Sequence, residues 1–114
     1  METLEEIEEL LLEEAAYEEE SVHGIIHGFL KNGVCQDPKD VIDPILSLLA
    51  SSKLKIYYQS GWGGDPYLDI TSLPPSDLKK YLLEYTEKHK KEFNDQYPED
   101  GGQFFIEATA KNKR

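Results

Sequence analysis

Residues 37–70 read DPKDVIDPILSLLASSKLKIYYQSGWGGDPYLDI, and the succession of patterns inside them decides the fold. Asp37–Pro38 and Asp43–Pro44 each set an N-cap acceptor before a residue whose φ already suits a helix. Behind them Val41, Ile45, Leu48 and Leu49 recur at helical spacing, as do Ile42 and Leu46. A helix is therefore expected from Asp37 or Asp43 to about Ser52, with Pro44 either starting or kinking it. Leu54, Ile56 and Tyr58 then alternate with Lys55, Tyr57 and Gln59, the period of a half-buried strand. SGWGGDP is a turn cluster, and YLDI can return from it antiparallel.

Two helices are expected before this stretch. Thr3 and Glu6 have the form of a capping box, and Leu4, Ile7, Leu11 and Ala15 make an apolar stripe. Glu14 and Glu18 fall on the same stripe, so the first helix should end or leave the core between Glu13 and Ser21. Ser21 can cap a second helix with Val22, Ile25, Ile26, Phe29 and Leu30 on its buried face. Gly24 and Gly28 leave a groove on that helix, and Asn32–Gly33 is a C-terminal stop.

After the hairpin, Thr71–Ser72, Pro74–Pro75 and Ser76 signal another helix. Leu78, Tyr81, Leu82, Tyr85 and Phe93 should line its inner face, with Lys88, His89, Lys90 and Lys91 in its last turn. Phe104, Ile106 and Ala108 alternate with Phe105, Glu107 and Thr109 in a closing strand that can join the hairpin in a three-stranded sheet. At 114 residues the chain is long enough to bury one core, and a single α+β domain over 1–114 is expected.

Charge is distributed very unevenly. Residues 1–20 hold ten glutamates and no base, whereas the other 13 acids face all 12 bases. Of the net charge of −11, about −1 is left for residues 21–114, and the only arginine is Arg114. The first helix should thus carry an almost wholly glutamate outer face. Charge runs are often only solvated faces, but such a surface can also steer a cationic partner.

No apolar run is long enough to span a bilayer, and the acidic N-terminus is the reverse of a signal peptide. The lone Cys35 excludes an internal disulfide, so a reducing cytoplasm is the simplest setting. His23 and His27 are four apart, as two zinc ligands on a helix require, but Gly24 stands where HExxH needs glutamate. They read better as partly exposed histidines at a helix contact, and no metal or other cofactor is expected. Asp37, Asp40 and Asp43 lack the spacing of a calcium loop, and GWGGD lacks the lysine of a phosphate cradle. With no nucleophile motif either, the chain reads as a non-enzyme.

Helix, helix, helix, strand, turn, strand over residues 4–70 resembles the winged-helix variant of the helix-turn-helix fold, most closely in VIDPILSLLASSKLKIYYQSGW. The resemblance makes 41–52 the recognition-type helix and 54–70 the wing, with 71–114 added after it. It implies DNA binding, and here the residues disagree. Lys39, Asp40, Asp43, Ser47, Ser51 and Ser52 on the helix, Lys53 and Lys55 beside it, and Asp65 and Asp69 in the wing bring roughly as much negative charge as positive. The reading favoured is a small acidic protein-binding module, such as an immunity or antitoxin-type inhibitor of a basic nuclease or other nucleic-acid enzyme. Glu5, Glu9, Glu13 and Glu18 would meet the partner's cations, and Tyr57 and Trp62 would supply dry contact. A winged-helix transcriptional regulator is the alternative.

Overall fold

A computed structural model describes residues 3–61, 66–94 and 102–109. Thr3 caps α1 (Leu4–Glu14): its hydroxyl accepts from the Glu6 N–H while the Glu6 carboxylate accepts from the Thr3 N–H and hydroxyl. Ile7 and Leu11 are buried and Ala15 closes the helix, as the stripe requires, but Leu4 lies half exposed. A two-residue strand, β1 (Glu20–Ser21), follows. The Ser21 hydroxyl then accepts from the Gly24 N–H to start α2 (Val22–Lys31).

Helix α2 ends in a Schellman motif, with Gly33 at φ 74°, Gly33 N–H on the Leu30 carbonyl and Val34 N–H on the Phe29 carbonyl. Asp37 caps a 3-10 turn at Pro38–Val41, and α3 runs Ile42–Ala50. The first Asp–Pro pair caps as expected, but the second does not: α3 starts at Ile42, ahead of Asp43, with Val41 as an N-cap that makes no side-chain bond and Pro44 in the first turn, where its missing N–H costs nothing. Helix α3 also ends in a Schellman motif, with Ser52 at φ 60° and Lys53 N–H on the Leu48 carbonyl.

Strand β2 (Leu54–Gln59) pairs antiparallel with the two-residue β3 (Leu68–Asp69), Tyr57 opposite Asp69. Beyond β3 the Thr71 hydroxyl takes over the strand's role, accepting from the Ile56 N–H at 2.9 Å. Helix α4 (Pro75–Lys88) buries Leu78, Leu82 and Tyr85. Tyr81, expected inside, is 43 % exposed, and Phe93, expected on the helix, is buried from the turn beyond it. His89 closes α4 as a buried C-cap rather than standing among the cations of its last turn.

Strand β4 (Gln103–Ala108) pairs with β2 from Leu54↔Ala108 to Gln59↔Gln103, and on its other side with β1. The result is an antiparallel sheet of four strands ordered β1-β4-β2-β3, not three. The fold is α+β, four α-helices with one small antiparallel sheet. Strand β1 carries no alternation because two residues are too few to show one.

Alternation on the two long strands divides the sheet into two faces. Leu54, Ile56, Phe104, Ile106 and Ala108 join helical residues such as Leu11, Ile26, Ile45 and Leu82 in one core. Tyr57 and Phe105, opposite one another in register, point to the other face. Removing each large aliphatic side chain from water contributes about 1.5–3 kcal/mol. The Ala108 N–H donates to the Ala15 carbonyl at 2.9 Å, so the end of α1 is fastened to the central strand. Among the described residues no helix is long and apolar enough to cross a membrane.

Candidate partner-binding surface

Glu5, Glu9 and Glu13 stand one turn apart on α1, and all three are exposed. Their placement follows from the burial of Ile7 and Leu11, which turns the opposite side of the helix to solvent. No ion pair among the described residues engages them; the lysine–carboxylate pair in these segments is Lys79–Asp43, at 3.6 Å. The glutamates therefore repel one another at i,i+4 spacing. Glu13 and Glu14 also sit at the C-terminal end of α1, where the helix dipole disfavours anions and no base is present.

Glu18 lies beyond the helix, exposed in the turn before β1. Glu14, Glu19 and Glu20 rim a groove of about 440 Å³ whose floor includes Gly24, Gly28, Ile25 and Phe105. The sequence-level groove at the two glycines is this one, and a Cβ placed on Gly28 would meet nothing within 4 Å. Partial burial raises the Glu20 carboxyl above the usual range, and repulsion from Glu14, Glu18 and Glu19 pushes it further.

Next to these acids the outer sheet face carries an aromatic cluster. Tyr67 packs on Phe105 with ring centroids 4.7 Å apart and lies 6.4 Å from Tyr57. Burial raises both tyrosine hydroxyls, and the charge of Glu19 contributes to each shift, so the acidic rim and the aromatic face adjoin. Tyr57 is half-buried and its hydroxyl donates to Glu107 at 3.2 Å. It offers its ring rather than a free polar group. Trp62, the other aromatic singled out from sequence, lies outside the described residues.

Sequence reasoning missed Tyr17, 77 % exposed among the glutamates, and Tyr67, 42 % exposed. The signal for Tyr67 was its place next to β3, opposite the Tyr57 strand; for Tyr17 there was none beyond its isolation between acids. Glu19 and Glu20 gain their importance from β1, which was not legible.

The histidines belong elsewhere. His23 is fully buried, a correction to its expected partial exposure, because it bridges α2 to the end of α4. Its Nε2 donates to the Glu92 carbonyl and its Nδ1 accepts from the Tyr85 hydroxyl at 2.9 Å. His27, half-buried, donates from Nδ1 to the Phe93 carbonyl. Both rings are structural ties. Cys35 is buried and its thiol is pushed up to about 11, first by burial and then by Asp40 and Asp37, so it does not supply a thiolate nucleophile. Comparison with known protein families, with curated proteins and with solved structures finds no match to this chain.

Proposed function

We propose that this protein is a binding module that docks a basic protein partner, in the manner of an immunity or antitoxin-type inhibitor of a nuclease or other nucleic-acid enzyme. One observation carries the reading: exposed carboxylates of α1 and the turn after it, with Glu5, Glu9 and Glu13 in no ion pair among the described residues, adjoin the exposed Tyr67 and the half-buried Tyr57 on the outer face of the sheet. Anions speed encounter with a cationic surface toward about 10⁸–10⁹ M⁻¹s⁻¹ at low salt. Tyrosines supply the dry contact that holds it. Inhibition is steric and electrostatic: Glu5, Glu9 and Glu13 occupy lysines and arginines that otherwise hold phosphate. The free thiol of Cys35 suits a reducing, cytoplasmic setting.

The test is capture of basic proteins from the source lysate over a salt series, with the native chain and an E5K/E9K/E13K variant. Native capture should weaken steeply with salt, since exposed charges are screened beyond about 8 Å at physiological ionic strength. The variant should lose it. Equal capture by both chains overturns the proposal.

The succession of three helices, interrupted by the short β1, and then β2 and β3 favours a second reading, a winged-helix DNA-binding regulator with α3 in the recognition role. The exposed residues of α3 are Asp43, Ser47 and Ala50, which bring no cation to a phosphate. A low-salt gel shift with genomic fragments decides it: a retarded fragment supports this reading and none removes it.

A further inference from the structure

A cavity of about 570 Å³ opens between the end of α4 and the adjoining ends of β2 and β4, on the face opposite the aromatic cluster. Tyr58, Tyr81, Tyr85, Phe104, Leu73 and His89 line it, with Glu84 and Lys88 among the polar lining. The volume lies within the range of small-molecule sites, and the walls are flat rings. His89 is only 2 % exposed and is held from two directions. Tyr85 packs on its ring at a centroid distance of 4.3 Å, and its Nδ1 bonds Glu92 Oε2 at 2.6 Å. Tyr85 is itself tied to His23 by a hydrogen bond of 2.9 Å.

A carboxylate accepts, so Nδ1 of His89 carries the proton; in the neutral ring Nε2 is then a hydrogen-bond acceptor. Nε2 has no hydrogen-bond partner among the described residues. We infer that this cavity is a binding site for a small planar aromatic molecule carrying one N–H or O–H donor, a phenol or an indole, with its ring between the aromatic walls and its donor on His89 Nε2. The inference is independent of the acidic surface.

The test uses the native chain and two probes of nearly equal shape, 4-methylphenol and toluene, followed by amide and imidazole shifts in NMR titrations. 4-Methylphenol should give saturable shifts at Leu73, Gly102 and the His89 ring, and toluene should bind about five-fold more weakly for want of one hydrogen bond. In H89F, which keeps an aromatic plug, the two probes should bind alike. Absence of saturable shifts at the cavity with the native chain overturns the inference, as does toluene binding as tightly as 4-methylphenol. Because the native comparison needs no variant, the outcome stands even if H89F does not fold.

Discussion

Glu20 shows at the level of one side chain how the acidic surface is maintained against the stability of the fold. It pairs with Ile106 at the sheet edge while Glu14, Glu18 and Glu19 surround it, and its carboxyl is raised by burial first and repulsion second. A carboxyl whose folded pKa exceeds its unfolded value binds protons more tightly when folded. Its charged form therefore costs stability above the raised pKa, and that cost vanishes as the pH falls through it. Glu20→Gln should raise the Tm at pH 7, and the gain should shrink toward zero as melts are repeated down to pH 4. Asp69 has the opposite sign: two bonds from Thr71 hold its carboxyl below the ordinary aspartate range, so its contribution is lost only as the pH falls through that lowered value. Ser52, at φ 60°, occupies a position that glycine fills without steric cost. Ser52→Gly should leave the fold intact and change thermal stability by less than about 1 kcal/mol, with a gain expected.

At the scale of elements, α1 carries the largest internal conflict. Its capping box and its buried Ile7 and Leu11 favour the helix, whereas its row of glutamates and the two acids at its C-terminal end oppose it. Replacing Glu13 and Glu14 by glutamine should stabilise the protein by about 0.3–1 kcal/mol per site at low ionic strength, and the gain should fade as salt is added to the melts. The same element was the most legible in the sequence, since a capping box, an apolar stripe and a glutamate face all agree. Helix α2, β2 and β4 were legible for the same reason: ten or six residues are enough for a period to show. The join at Asp37–Pro44 was readable only as two alternatives, because both starts are locally sound; Asp37 caps the 3-10 turn, while α3 starts at Ile42 with no side-chain cap from Asp43. Strand β1 and the cavity by His89 were not readable. Two residues cannot display an alternation, and a His–Glu contact three residues apart gains its meaning only when Tyr58 of β2 and Phe104 of β4 arrive beside Tyr85 of α4.

Across the whole molecule, no ion pair among the described residues joins Glu5, Glu9 or Glu13 of α1 to a lysine of the body. Lys31, Lys90 and Lys91 line a separate cleft with His27 and Phe93, and Lys79 is spent on Asp43. An exposed pair of that kind contributes little, and among the described residues no ion pair to Glu5, Glu9 or Glu13 offsets the repulsion along α1. The proposal rests on these exposed acids, and holds that the complement of the anionic surface lies in another molecule. Hydrogen exchange on the complex with the captured partner tests it most directly, since protection maps where the partner sits. The account predicts slowed exchange at amides of α1, of residues 15–21 and of the adjoining Tyr57 and Phe105, with α3 unchanged. Slowed exchange confined to α3 at Ile42–Ala50, with α1 exchanging as in the free protein, would contradict it.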